Sequence, residues 1–410
     1  MAEALRFFAP CPRGLEGVLA AELRALGATV LDGGTAGIAF DGDARLGMAA
    51  NLHSRIASRV LQRVADGPYR SEDDLYRLAR DVPWESWHAP GDTLRVDTQA
   101  IGSPLRSLQF ATLRVKDGLC DRLRERTGER PSIDRLRPQR RVFAFLDATR
   151  CTLYLDWSGE ALFRRGWRRD GGEAPLKENL AAGLLALAGW APGTPLLDPF
   201  CGAGTIVVEA AQQAAGIPPG AARRFAFERF LGVDRTAWQR LRAAPTRPAP
   251  ATPVVFGSDV SVAAVAAART HLGRAGVPPG WVDLRQLDVL HLARAPAPAG
   301  LLLSNPPYGE RLDLKGRQSL ADADRFWPAF ASVLKRHFAG WSACLFTSDL
   351  DLPQRLRLKP ARRTPLHNGA LDCRLFRFDM VAGSARGPRG ADETVRGSPG
   401  VPCPGAGPAG

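Results

Sequence analysis

Cysteine is sparse and scattered. The seven cysteines, Cys11, Cys120, Cys151, Cys201, Cys344, Cys373 and Cys403, form no C-x-x-C pair and no cysteine–histidine group with zinc-ligand spacing. No metal site and no disulfide scaffold are expected, and reduced thiols in a cytoplasmic protein are the simplest reading. Long apolar runs are missing too. No stretch of about 18 apolar residues occurs, so no membrane-spanning helix is expected. The start carries Glu3 and Arg6 and has no apolar segment of signal-peptide length. Acidic side chains are in deficit: 42 Asp+Glu face 55 Lys+Arg, which leaves +13 and a pI near 10.1. Such a surface favours polyanions, nucleic acid ahead of an anionic membrane. What is present suffices for two or three folded domains, since 45% of the 410 residues are hydrophobic.

Periodicity divides the chain in two. Over residues 1–43 the pattern reads strand, helix, strand, strand: Leu5–Phe8, then a helix with Leu15, Val18, Leu19, Leu23 and Leu26 on one stripe, then a hairpin over Val30–Phe40. Residues 44–157 continue as mixed α/β. Helices are expected at Ala44–His53, Glu72–Arg80 and Ser107–Arg126, the last with Leu108, Ala111, Val115, Leu119 and Leu123 inward. Strands are expected at Ser58–Val64, Thr93–Thr98, Arg141–Leu146 and Cys151–Trp157. Basic residues gather late in this half, and Arg106, Lys116, Arg135, Arg165 and Arg168 are taken as an RNA-phosphate platform.

From residue 158 to 382 strands and helices alternate after the Gly171-Gly172 linker. That alternation predicts an α/β fold, a doubly wound parallel sheet. Strands are expected at Thr194–Asp198, Val254–Asp259, Val282–Leu287, Gly300–Ser304 and Ser342–Thr347. Asn368-Gly369 marks a final antiparallel hairpin between Arg355–Arg363 and Leu371–Met380. Ile217–Pro253 breaks the alternation and is read as a helical excursion on the sheet's rim. Residues 383–410, dominated by Gly and Pro, read as a disordered tail.

Two strand ends carry the chemistry. The first is Asp198-Pro199-Phe200-Cys201-Gly202-Ala203-Gly204-Thr205. Its glycines allow a sharp turn and close approach to a ligand, and the helix opening at Thr205 turns free N–H groups toward it. A dinucleotide fingerprint wants a third glycine where Val207 stands, and an acid at the strand's end suits a cationic ligand. S-adenosylmethionine, with its sulfonium and ammonium, fits better. Asp259 is placed at the ribose hydroxyls, although it lies much further on than the usual ~20 residues. Asp288 is placed at the adenine amine, and Lys177 with Glu178 at the methionine end.

The second is Asn305-Pro306-Pro307-Tyr308. Proline rigidifies the turn, so the Asn305 side-chain oxygen and the Pro306 carbonyl can both accept from one amine. Tyr308 offers a face for the base. Methyl transfer is then an in-line displacement driven by positioning, with no strong general base. Cys201 lies on the donor side, away from the base, which argues against covalent catalysis.

Residues 5 to 382 resemble the N-terminal methyltransferase half of the bacterial 23S rRNA guanine-N2 methyltransferase L family. The likeness rests on Arg13-Gly14-Leu15-Glu16, Val115-Lys116-Asp117, Ala174 to Glu178, Pro195 to Thr205, Gly257-Ser258-Asp259, Gly369 to Cys373 and, most specifically, Asn305-Pro306-Pro307-Tyr308-Gly309-Glu310-Arg311-Leu312. The resemblance implies a ferredoxin-like unit and a THUMP RNA-binding domain ahead of a class I methyltransferase domain. It also implies N2-methylguanine in 23S ribosomal RNA as product, within a large-subunit assembly intermediate and without a further protein partner. Some members fuse a second methyltransferase making 7-methylguanine, and the proline-glycine tail is read as the end before it. Other readings stay open on the residues alone: N6-adenine methylation of RNA or DNA, methylation of a protein glutamine amide, or a non-catalytic RNA-binding assembly factor.

Overall fold

A computed structural model describes residues 4–31, 34, 36–168, 176–243, 247–248, 250–307 and 320–382, the side chains of 320–324 excepted. The first half is built on one sheet. Its strands are β1 Leu5–Pro10, β2 Thr29–Val30, β3 Gly37–Gly42, β4 Leu61–Pro68, β5 Leu94–Ala100, β6 Arg140–Leu146 and β7 Arg150–Asp156. They lie in the order β2-β3-β1-β4-β7-β6-β5, antiparallel except for the pair β5 and β6. The sheet runs on across residue 43, because Phe7 and Phe8 of β1 pair with Gln62 and Leu61 of β4. Helices cover it at Glu16–Ala25, Ala44–His53, Glu72–Asp81 and Leu108–Thr127. Asp43 starts the second by accepting the Leu46 amide, and Ser107 starts the fourth by accepting the Phe110 amide. Leu108 is 40% exposed, so the inward stripe of that helix begins at Ala111.

The second half holds β8 Leu196–Asp198, β9 Val255–Asp259, β10 Val282–Gln286, β11 Gly300–Ser304, β12 Trp341–Thr347, β13 Arg362–Asn368 and β14 Leu371–Asp379. The order is β10-β9-β8-β11-β12-β14-β13. The first five are parallel and β14 runs antiparallel to both neighbours. Apolar Leu196, Leu197, Leu301, Leu302 and Leu303 are buried, as central parallel strands require. The expected hairpin forms around Asn368-Gly369, but Leu352–Leu356 is a short helix rather than the start of a strand. Pro353 at its first turn favours the helix. The strand expected at Ser58 begins at Leu61.

The excursion after Ile217 contains a 3-10 turn at Ala226–Arg229 and a helix at Arg235–Arg242. It is helical as expected, but it seats against the first half. The Phe227 amide donates to the Trp157 carbonyl at 3.1 Å and the Gly220 amide to the Leu52 carbonyl at 3.0 Å. The Trp157 ring packs on Phe7, Phe227 and Phe230 with centroids 5.2, 5.7 and 5.7 Å away. One hydrophobic cluster therefore runs through both halves.

A buried ion cluster crosses the same junction. The Arg165 Nε donates to Glu209 Oε1 at 2.9 Å, and its other nitrogens donate to the carbonyls of Leu162 and Arg55. Arg55 pairs with Glu209 Oε2 at 3.4 Å. Arg165 is 2% exposed and fully partnered, so its assignment to the RNA platform is corrected: it ties the halves together. Glu209→Ala should destabilise the protein by about 3–5 kcal/mol, since two buried guanidiniums lose their counter-charge. A loss below about 1 kcal/mol in denaturant unfolding would contradict this role.

Candidate methyl-donor and amine site

The strand order reverses between β8 and β11, and a crevice at the carboxyl ends of those strands is the usual ligand position. Both motifs end there. Asp198 closes β8 and is 2% exposed. Its Oδ1 accepts from the Ser304 hydroxyl of β11 at 2.5 Å and from the Phe200 amide at 3.2 Å. Burial raises the Asp198 carboxyl from 3.8 to about 7; these two hydrogen bonds oppose the rise and the nearby Asp259 adds to it. A cation brought beside this buried carboxyl would favour its ionised form.

The loop after Asp198 depends on two glycines with left-handed backbone. Gly202 has φ +53° and Gly204 φ +84°. A Cβ on Gly204 would stand 2.8 Å from the Ala268 Cβ, whereas one on Gly202 would enter open space. The first glycine thus leaves room beside the loop, and the second lets the loop lie on the helix Val262–Arg274. Asp259, at the end of β9, fixes the loop: its Oδ2 accepts the Gly202 amide at 2.9 Å and its Oδ1 the Ser261 amide at 2.9 Å. Asp288 starts a 3-10 turn by accepting the Leu290 amide at 3.0 Å. Asp198, Gly202, Gly204, Thr205 and Asp259 thus lie together at the ends of β8 and β9.

Arg168, expected on the RNA platform, is half-buried beside the loop that follows Asp198. Its Nη2 donates to the Thr205 Oγ1 at 2.7 Å, its Nε lies 3.2 Å from Glu178 Oε1, and its plane stands over the Trp167 ring at 5.1 Å. Nothing in the spacing of Arg168 announced this, because the contact depends on how residues 162–168 cross the helix Thr205–Ala214. Lys177 directly precedes the helix Glu178–Leu187, is exposed, and holds its Nζ 4.9 Å from the Phe163 ring centre. Ser304 was also missed as a site residue, although it directly precedes Asn305.

Asn305 follows β11. Its Oδ1 is buried and has no hydrogen-bond partner among the described residues. A buried amide oxygen left without a donor costs free energy, so such an atom calls for a ligand donor. Pro306 is buried beside it. Tyr308 lies outside the described residues. Of the other RNA assignments, Arg106 and Arg135 are exposed, while Lys116 is paired with Asp117 at 2.9 Å. No cluster of His, Cys, Asp or Glu that could hold a metal occurs among the described residues, and no described helix is long and apolar enough to cross a membrane.

Fold and site define a class I, Rossmann-like methyltransferase joined to an α+β region. Residues 165–377 match the family model described as "RMKL-like, methyltransferase domain", and the chain belongs to that family. Residues 69–156 match the THUMP domain and residues 6–61 the RlmL ferredoxin-like domain. A relative from Syntrophotalea carbinolica, named ribosomal RNA large subunit methyltransferase K/L, is 40% identical over 92% of this chain and 54% of its own length. The chain spans about half the length of the curated relatives it matches. Among solved structures, SMU.472 complexed with SAH is 27% identical with a TM-score of 0.81, covering 93% of this chain and 99% of that one. A predicted N6-adenine-specific DNA methylase from Listeria monocytogenes is 26% identical with a TM-score of 0.80, covering 92% and 97%.

Proposed function

We propose that this chain transfers a methyl group from S-adenosylmethionine to the exocyclic N2 of a guanine in 23S ribosomal RNA. The observation that carries the reading is the buried Asn305 Oδ1, without a hydrogen-bond partner among the described residues, next in sequence to the Ser304 that donates to Asp198. The donor fits the residues present. Asp198 and Asp259 supply buried carboxylates, Gly202 leaves space, and the amide end of the helix Thr205–Ala214 faces the loop. When bound, the donor supplies an electrophilic methyl on a sulfonium.

The protein's part is placement and charge. Asp198, ionised, balances a cation of the donor. Arg168 and Glu178 brace Thr205 at the start of the helix. Asp288 is assigned to the adenine amine and Lys177 to the methionine end. Asn305 Oδ1 and the Pro306 carbonyl accept the two amine hydrogens, which turns the nitrogen lone pair out of conjugation with the ring. The exposed Arg106 and Arg135 are assigned to RNA phosphates, and Lys116, expected among them, is left out because it faces Asp117 at 2.9 Å. Tyr308 is assigned to stacking on the base.

Ribosomal RNA as substrate is supported by the relatives' name, and guanine N2 by the resemblance of the Asn-Pro-Pro-Tyr-Gly-Glu-Arg-Leu string. The Listeria methylase favours a second reading, adenine N6, because the same acceptor pair holds either amine. Incubation with labelled donor and unmethylated 23S RNA, followed by nucleoside mass spectrometry, separates them. N2-methylguanosine is the expected product; N6-methyladenosine instead would transfer the assignment to the second reading.

A further inference from the structure

The basic side chains of the helix Leu108–Thr127 are largely spoken for. Arg114 pairs with Asp73, Lys116 with Asp117 and Arg122 with Glu85. A cation already facing a carboxylate offers a phosphate little net charge. The excursion differs. Segment 221–243 carries six arginines against two acids. Both acids are engaged by backbone: Glu228 Oε1 accepts the Phe225 amide at 2.7 Å and Asp234 Oδ1 the Ala237 amide at 2.9 Å. Arg224, Arg229, Arg235 and Arg240 are exposed and form no ion pair among the described residues.

Arg224, Arg229, Arg235 and Arg242 surround a cleft of about 660 Å³. Its floor is rigid. Phe225 and Trp238 are buried beneath it, edge to face with centroids 5.6 Å apart, and Phe227 meets Trp238 at 4.9 Å. Arg242 is held by the Ala221 carbonyl at 2.8 Å and lies over the Trp238 ring. These aromatic rings are consumed by packing, so they present no face on which a base could stack. Guanidinium forks, the chemistry that recognises phosphate, dominate the polar lining; Gln239 and Glu228 also line it, the latter with one carboxylate oxygen taken by the Phe225 amide. It is also fixed to the first half: the Arg140 Nη2 of β6 donates to the Arg229 carbonyl at 2.6 Å. Arg140 directly follows the loop that bears the exposed Arg135 and Arg137. Arg140 itself is buried and paired with Asp92 at 2.6 Å, so it anchors the excursion next to that loop without adding surface charge.

We propose that this cleft is a phosphodiester-binding site that grips the RNA backbone without reading its sequence. The proposal rests on RNA being the substrate and adds a second binding surface for it. Charge alone decides its behaviour. For every phosphate that the protein no longer neutralises, the slope of log K against log salt should shrink by about 0.7–0.9.

The test is a full-length Arg224→Gln/Arg229→Gln/Arg235→Gln variant, titrated into a fluorescent mixed-sequence RNA hairpin over a salt series. The expected result is at least about a tenfold loss of affinity near 0.1 M salt and a slope reduced by about two to three. Affinity for S-adenosylhomocysteine and the thermal midpoint should stay at wild-type values, since these side chains are exposed. Wild-type affinity and slope in the variant, with the parent chain binding RNA well, would overturn the cleft and leave the RNA reading standing. No RNA binding by the parent chain would remove both. Equal binding of a polyglutamate peptide of matched charge would also overturn the proposal, as would a defect confined to one RNA sequence.

Discussion

Asp198→Ala is expected to abolish measurable S-adenosylmethionine binding in calorimetry. Losing one partner of a buried, hydrogen-bonded charge pair costs about 2–5 kcal/mol, or about 30-fold to several thousand-fold in affinity. Unchanged affinity would remove Asp198 from the donor site. The effect has a pH counterpart. With the free protein's carboxyl at about 7, donor binding at pH 6 must first displace a proton. Affinity should therefore rise with pH, by up to about tenfold per unit, and level off above about 7. Asp198→Asn should erase that rise.

Stability moves the other way. A carboxyl whose folded value is raised from 3.8 to about 7 favours the folded state most at low pH. That contribution is lost as pH climbs through the window between those values. Free Asp198→Asn protein should consequently be at least as stable as the parent chain at pH 8, because it no longer carries a buried, solvent-deprived charge. Thermal melts at pH 5 and pH 8 check the sign, and separate a donor-site defect from misfolding.

Asn305→Ala should behave differently. Donor affinity should remain within about twofold, since none of the residues assigned to the donor is on the Asn305 turn, while methyl transfer to RNA should fall by on the order of 10²-fold or more through lost positioning of the amine. The loss should appear in kcat, because the held amine matters at the reacting geometry. A near-normal rate would mean that the unpartnered Oδ1 has no part in the chemistry. The variant should fold, as it removes a buried oxygen that has no donor among the described residues.

Much of this was legible in the sequence because local rules and the fold agree. Gly300–Ser304 and Ala44–His53 form with the bounds expected from their patterns. The alternation after residue 190 implied the parallel sheet, and Asn368-Gly369 implied its antiparallel end. Asp198 and Asp259 end neighbouring parallel strands on the same side of that sheet, the two glycines lie in the loop that follows Asp198, and strand ends can be read from sequence. Arg165 and Arg168 could not be placed in this way. Both look like surface charge in a basic run, yet residues 162–168 cross the helix that carries Thr205 and Glu209, so one guanidinium is buried against Glu209 and the other braces Thr205. Periodicity carries no information about which elements from distant parts of the chain will touch. The same blindness hid the seat of the excursion. The segment reads as an excursion on the sheet's rim, and only the fold shows that its Phe227 and Phe230 pack on Trp157 of the first half. The two halves share one hydrophobic cluster, so removing residues 1–160 would expose apolar surface on the rest.

The most direct test is nucleoside mass spectrometry of large-subunit ribosomal RNA from cells that lack this chain, complemented either with the parent sequence or with Asn305→Ala. One N2-methylguanosine should be absent without the chain, return with the parent sequence, and stay absent with the variant. Full restoration by the variant, or an unchanged N2-methylguanosine content in the cells lacking the chain, would contradict the account.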